Sequence, residues 1–300
     1  MPTDPLNHFH APVAAWFRDV FAEPTVVQSQ AWQAISQGNN TLVVAPTGSG
    51  KTLAAFLWSL SQLTSSKEVP QGRTKRAGTK VLYISPLKAL GVDVDRNLAA
   101  PIAGISRMAA AMAEDVQEVK VGVRSGDTPQ SERSRLLRNP PDILITTPES
   151  LYLMLTSKAA ATLREVDTVI IDEVHAVAGT KRGTHLALSL ERLEMIATNP
   201  VQRIGLSATV NPIDTVAAFL GGDRPVTVVN PRIAKDWDVQ VRSVVSDFQD
   251  PPAAEIVDLS AGEDATEDHP GLADGQPVDE ALIGPTLIGD CLLYTSPSPR

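Results

Sequence analysis

Seven short apolar runs limit what this chain can fold into: Thr41 to Ala45, Val81 to Ser85, Val119 to Val123, Asp142 to Thr146, Thr168 to Ile171, Arg203 to Ser207 and Val226 to Val229. Each is four or five residues long, and helical patterns separate most of them. Continuous apolar strands alternating with helices predict an α/β fold, a mostly parallel sheet with helices on both faces. In such a sheet, ligands bind beyond the carboxyl ends of the strands. Several of the runs end in polar or special residues: Thr47 to Thr52, Ser85-Pro86, Thr146-Thr147-Pro148, Asp172-Glu173 and Ser207-Ala208-Thr209. These ends lie along one edge, the expected active rim.

The first run leads into Ala45-Pro46-Thr47-Gly48-Ser49-Gly50-Lys51-Thr52, and Leu53 to Leu63 then reads as helix. A glycine-rich turn between a strand and a helix is a phosphate cradle. Gly48 and Gly50 let the backbone approach an anion, and the helix N-terminus points N–H groups at it. Lys51 adds a cation and Thr52 a hydroxyl for Mg²⁺. The loop departs from the G-x-x-x-x-G-K-[ST] pattern, because Ala45 stands where the first glycine would. Thr47, Gly48, Ser49, Gly50, Lys51 and Thr52 are therefore candidate nucleotide contacts in a P-loop domain.

A second element, Val169-Ile170-Ile171-Asp172-Glu173-Val174-His175, delivers two carboxylates at a strand end. Asp172 is expected to hold Mg²⁺ through its water shell and Glu173 to polarise an attacking water. His175 has three open readings: a contact on the γ-phosphate side, a contact to Ser-Ala-Thr, or a satisfied, partly buried histidine.

Around these elements, Asp19 to Gln28 reads as a loop, with Pro24-Thr25 opening a helix that runs to about Gly38. Thr64 to Thr79 reads as an exposed loop, and Leu87 to about Glu114 as a long helix broken near Pro101. Val239 to Val245 suggests one more strand. Residues 251–290 contain ten Asp or Glu and no Lys or Arg, which suits a solvated linker. The net charge of −9 sits there, since residues 1–250 carry 25 basic and 25 acidic side chains. Whole-chain charge therefore says nothing about partners.

Other classes drop out. No apolar run approaches a membrane span, and Met1 to His10 has no basic segment leading into an apolar one, so a cytoplasmic location is expected. The single cysteine, Cys291, leaves neither a disulfide framework nor a thiolate metal site. Cys291 to Arg300 matches the translation of a transposase sequencing adapter and is expected not to belong to the natural protein, which would then continue further.

Ser207-Ala208-Thr209, Thr146-Thr147-Pro148-Glu149-Ser150 and Ser85-Pro86-Leu87-Lys88-Ala89-Leu90 resemble motifs III, Ib and Ia of superfamily 2 helicases, in the right order. Pro24-Thr25-Val26-Val27-Gln28 resembles the Q motif. More narrowly, Asp172 through Gly179-Thr180-Lys181-Arg182-Gly183-Thr184-His185 to Leu190-Glu191-Arg192-Leu193 is similar to the Lhr (large helicase-related) family, over about residues 16 to 245.

The resemblance implies a RecA-like first motor domain, residues 1–230, of an ATP-dependent helicase moving along single-stranded DNA, in DNA repair. Residues 231–290 would lead to a second motor domain. Gln28 would read the adenine, and Ser207 and Thr209 would couple nucleotide to nucleic acid. Lys88, Arg124, Thr128 and Thr147 would contact the backbone of single-stranded DNA or a DNA/RNA hybrid, giving little base preference. A Ski2-like or DEAD-box RNA helicase and a non-catalytic nucleotide-binding module stay open as alternatives, though His175 in place of a DEAD-box Asp argues against that branch.

Overall fold

The computed structural model describes residues 4–65, 78–86, 88–208 and 210–231, all within the compact unit Met1–Ile233. The expected strand at 239–245, the acidic stretch, the last ten residues, most of the 64–79 loop and Thr209 lie outside the described residues.

Every one of the seven apolar runs forms a strand: β1 (Asn40–Val44), β2 (Val81–Ile84), β3 (Val121–Arg124), β4 (Ile143–Thr146), β5 (Thr168–Ile171), β6 (Gln202–Ser207) and β7 (Val226–Val229). They make one sheet in the order β3-β4-β2-β5-β6-β1-β7, with every neighbouring pair parallel. The helices are α1 (Ala11–Val20), α2 (Val26–Ser36), α3 (Lys51–Ser65), α4 (Lys88–Ala111), α5 (Gln130–Arg138), α6 (Pro148–Leu155), α7 (Val174–Val177), α8 (Lys181–Ile196) and α9 (Ile213–Gly221). Short 3-10 helices stand at Pro5–His8 and Lys158–Leu163.

The strands' period-2 geometry sorts the core into two layers. Val43, Tyr83, Ile145, Ile170 and Leu206 join the layer built with α1 to α4. Leu42, Leu82, Ile84, Leu144, Val169 and Ile171 join the layer built with α6 to α9. Each fully buried aliphatic side chain contributes about 1.5–3 kcal/mol. A sheet buried on both faces therefore explains runs that lack polar alternation.

Three expectations are corrected. Asp19 and Val20 are helical rather than loop, because α1 extends to Val20, and the connection narrows to residues 21–25. Thr64 and Ser65 belong to α3, where Thr64 Oγ1 donates to the Leu60 carbonyl at 2.8 Å. Finally, α4 runs unbroken through Pro101. A proline removes one intrahelical hydrogen bond, but Val94, Leu98, Ile105 and Ala109 are buried along one stripe and hold the helix on the sheet.

Helix α1 packs on α4 where Trp16 meets Gly104. A Cβ at Gly104 would lie 2.2 Å from Trp16 Nε1. Gly104→Ala is therefore expected to push the helices apart and destabilise the domain by about 1–3 kcal/mol, the usual cost of overpacking. A lower urea midpoint with an unchanged slope would register it.

At the other side of the sheet, Arg203 of β6 is 2% exposed. Its Nη1 lies 3.0 Å from Glu191 Oε1 and donates to the Leu220 carbonyl at 3.2 Å. Its Nη2 is 3.6 Å from Glu194 Oε2, and neither of those two atoms has a hydrogen-bond partner among the described residues. Arg224 grips Glu191 with two bonds of 3.1 Å. Burial pushes the Glu191 carboxyl up, and the guanidiniums of Arg224 and Arg203 outweigh this, leaving it below the ordinary glutamate range.

Candidate functional site

The parallel registers align Val44 with Ser207, Ile84 with both Ile171 and Thr146, and Thr146 with Arg124. The residues following these positions therefore leave the sheet at one edge, as the sequence predicts.

At the end of β1, Ala45 N donates to the Ser207 carbonyl at 3.1 Å, and the chain then turns into α3, which opens at Lys51. Gly48 and Gly50 both have φ +82°, in the left-handed region that favours glycine. At Gly50 there is also no room, since a Cβ would sit 2.5 Å from Gln28 Nε2. Gln28 is buried within a capping box on α2: its Oε1 accepts from Thr25 N at 2.9 Å, and Thr25 Oγ1 accepts from Gln28 N at 3.2 Å. The same two side chains hold the loop, through Gln28 Nε2 to the Gly50 carbonyl at 3.4 Å and Thr25 Oγ1 to the Ser49 carbonyl at 3.1 Å. Both polar atoms of the Gln28 amide are thus engaged within the protein.

The loop suits an anion. Ser49 Oγ is buried without a partner among the described residues, and a buried hydroxyl left unpaired is costly until a ligand satisfies it. Lys51 is 6% exposed, and no described residue forms an ion pair or hydrogen bond with its ammonium. Thr47 and Gly48 are exposed at the mouth and Thr52 is half-buried in the first turn of α3.

At the end of β5, Asp172 is 7% exposed. Its Oδ1 accepts from Glu173 N at 2.9 Å, and its Oδ2 accepts from the hydroxyl of Tyr83 on β2. Burial, with the Asp172 carboxylate beside it, holds the Tyr83 phenol far above its ordinary value, so it stays a donor. Glu173 adopts φ 46°, ψ 46°, a left-handed conformation that costs a non-glycine residue of order 1–3 kcal/mol. The bond to Asp172 and the start of α7, where Ala176 N donates to the Glu173 carbonyl at 2.8 Å, impose it.

His175 links this turn to the end of β6. Its Nδ1 lies 3.2 Å from Ser207 Oγ, 3.3 Å from Glu173 Oε2 and 3.4 Å from Ala208 N. Unprotonated, Nδ1 accepts from the Ala208 N–H; protonated, it donates to Glu173. His175 therefore does contact Ser207 and Ala208 of the Ser-Ala-Thr stretch.

Toward β3 the rim carries Arg124 and Arg133. Arg124 is partly buried, and that burial, with the Arg133 charge nearby, lowers its guanidinium below the usual value. Thr128 Oγ1 accepts from Ser125 N at 2.8 Å, and Arg133 locks the turn through the Thr128 and Gly126 carbonyls at 2.8 and 2.7 Å. Thr147 caps α6, its hydroxyl 3.1 Å from Ser150 Oγ. Lys88 opens α4 two residues after Pro86, but its side chain lies outside the described residues.

Sequence reading gave no role to Arg133, Tyr83 or Arg182. Arg182 donates from Nε to Glu149 Oε1 at 2.7 Å and from Nη2 to the Pro86 carbonyl at 3.0 Å. It thereby ties the segments after β2 and β4 to the start of α8. A polar tip in the otherwise aliphatic run Val81-Leu82-Tyr83-Ile84 is the only local signal for Tyr83.

Residues 25–217 match the DEAD/DEAH box helicase family, a stretch that begins at the Thr25 cap and ends beyond Ser207. The chain belongs to that family. Among DEAD/DEAH box helicases it is similar to the Lhr helicase of Mycolicibacterium smegmatis, 58% identical over 245 residues, which are 82% of this chain and 16% of the relative. It is 57% identical over 236 residues to the Lhr helicase/uracil glycosylase of Escherichia coli, 78% of this chain and 15% of that one. The chain thus spans about one sixth of the length of these relatives. Its fold matches the structure of the Mycobacterium smegmatis helicase Lhr bound to ssDNA and AMP-PNP with a TM-score of 0.73, at 58% identity, over 79% of this chain and 29% of that one. No helix among the described residues is long and apolar enough to cross a membrane.

Proposed function

We propose that residues 1–230 are the first RecA-like motor domain of an ATP-dependent DNA helicase of the cytoplasm, and that residues 231–290 lead to a second motor domain of the same protein. The observation that carries this reading is the meeting, on one sheet edge, of a phosphate loop with a strained carboxylate turn, joined to the next strand end by His175.

The roles follow from the chemistry of each group. The backbone of Thr47 to Gly50, Ser49 Oγ and the Lys51 ammonium hold the phosphates of ATP. Gln28 meets the adenine side while bracing the loop. Thr52 and Asp172 are the residues suited to Mg²⁺, which when bound neutralises charge on the transferred phosphoryl group. Glu173 orients the attacking water and accepts its proton. Ser207 and Thr209 couple this side of the rim to Lys88, Arg124, Thr128 and Thr147, the proposed contacts to the nucleic-acid backbone, with few base contacts. An arginine donated by a second motor domain accelerates such reactions by about 10³-fold or more, so this chain alone is expected to bind ATP weakly, hydrolyse it slowly and separate no duplex.

Similarity to a protein solved with ssDNA supports single-stranded DNA as the track, with a DNA/RNA hybrid as the second form. A relative named as both helicase and uracil glycosylase supports a place in DNA repair. The test is strand displacement by the protein expressed from uninterrupted source DNA, with the loading strand made of DNA or of RNA. ATP-dependent unwinding from the DNA track is expected. Unwinding from the RNA track alone would assign the protein to an RNA helicase branch, and no unwinding on either would favour a nucleotide-binding module.

A further inference from the structure

The proposed Mg²⁺ carboxylate does not stand alone. Tyr83 lies in the middle of the sheet, fully buried, on a strand that pairs with β5 in a register placing Tyr83 opposite Ile170, two residues before Asp172. Its hydroxyl reaches past the strand end to Asp172 Oδ2, while Glu173 N occupies Oδ1. Each carboxylate oxygen thus receives one fixed donor, which sets the plane of the group and leaves each oxygen with lone-pair capacity for a further ligand. The same ring stacks on Phe56 of α3, with centroids 5.0 Å apart and planes 25° apart. Phe56 lies five residues after Lys51, on the helix the phosphate loop opens into. One side chain therefore touches both halves of the proposed site: its ring fixes the spacing of α3 from the sheet, and its oxygen fixes the carboxylate.

We infer that Tyr83 is a positioning residue for Mg²⁺-nucleotide binding, orienting the Asp172 carboxylate against the phosphate loop through the Tyr83 hydroxyl and the Phe56 stack. Hydrogen-bonded outer partners of metal carboxylates and histidines commonly tune affinity in this way. The aromatic body alone would serve the core equally well, since phenylalanine fills nearly the same volume and stacks equally well on Phe56. Only the hydroxyl is specific to Asp172.

The inference rests on the assignment of Asp172 to Mg²⁺, and the experiment separates the two. A fluorescent ATP analogue is bound to the 300-residue chain while Mg²⁺ is titrated from an EDTA baseline, for the wild type, Tyr83→Phe and Asp172→Asn, with urea midpoints as a folding control. Tyr83→Phe is expected to raise the Mg²⁺ concentration for half-maximal enhancement by about tenfold, the lower end for outer-shell losses. Its binding in EDTA should be unchanged. Asp172→Asn is expected to abolish the enhancement. A Tyr83→Phe curve that overlays the wild type, while Asp172→Asn abolishes the enhancement, overturns the role of Tyr83 alone. Full enhancement in Asp172→Asn overturns the metal assignment and with it the inference. A Tyr83→Phe that loses EDTA binding and Mg²⁺-dependent binding equally makes Tyr83 a packing residue only.

Discussion

Glu173→Gln, in the protein expressed with its proposed second motor domain, is expected to keep its affinity for ATP and lose hydrolysis by about 10²- to 10⁴-fold, the usual contribution of a positioned general base. The amide preserves the size and shape of the side chain, so the left-handed turn at φ 46° and the Glu173 N–H bond to Asp172 survive. What disappears is the ability to take a proton from water. His175 shares that surrounding, its Nδ1 lying 3.3 Å from Glu173 Oε2, but it is also engaged with the end of β6 and is not expected to substitute. Single-turnover hydrolysis measured beside equilibrium binding checks both halves. Parallel loss of binding would mean that the substitution collapses the turn. Unchanged hydrolysis would remove Glu173 from the chemistry.

The second large effect lies far from the rim. Arg203→Ala is expected to destabilise the domain by about 1–3 kcal/mol, because it leaves the Leu220 carbonyl without the Arg203 donor and opens space under β6. The loss is a large part of the 5–15 kcal/mol that typically holds a domain together. Glu191 keeps Arg224, but Glu194 Oε2, already without a hydrogen-bond partner among the described residues, loses the Arg203 guanidinium at 3.6 Å. Arg203→Met combined with Glu194→Met should recover part of the loss, because an apolar replacement leaves fewer charges stranded. The pH dependence follows from Glu191, whose carboxyl is depressed in the folded state. Its contribution is present above the unfolded value of about 4.3 and is lost as pH falls through the folded value. The stability gap between wild type and Arg203→Ala should therefore narrow on acidification below that range. Urea titrations at several pH values measure it.

What was legible in the sequence divides by the distance over which each signal acts. The seven strands are continuous apolar runs, a local property, and all seven appear in the sheet. The phosphate loop is equally local, since its glycines mark the two positions with φ +82°. The N-cap at Thr25 was readable from neighbouring residues, whereas α1 was not: its N-terminus has no side-chain cap bond, and its Trp16 makes sense only against Gly104 on another helix. Proline at 101 signalled a break that the buried stripe of α4 overrides. Tyr83 with Asp172, Arg182 with Glu149 and Pro86, and Arg203 with Glu191 join residues from 12 to 96 positions apart. No spacing rule reports such pairs, so the parts of the site were visible while the bonds that hold them together were not.

The central claim, that this rim is an ATP site built on the phosphate loop, is tested most directly by equilibrium titration of the 300-residue chain and its Lys51→Ala variant with a fluorescent ATP analogue and Mg²⁺. Lys51 supplies the one cation of the loop, and a charge-assisted hydrogen bond is worth about 1.5–3 kcal/mol. Saturable binding by the wild type is expected, weakened roughly ten- to a hundredfold in Lys51→Ala. Equal affinity in the two proteins, or no binding by the wild type, would contradict it.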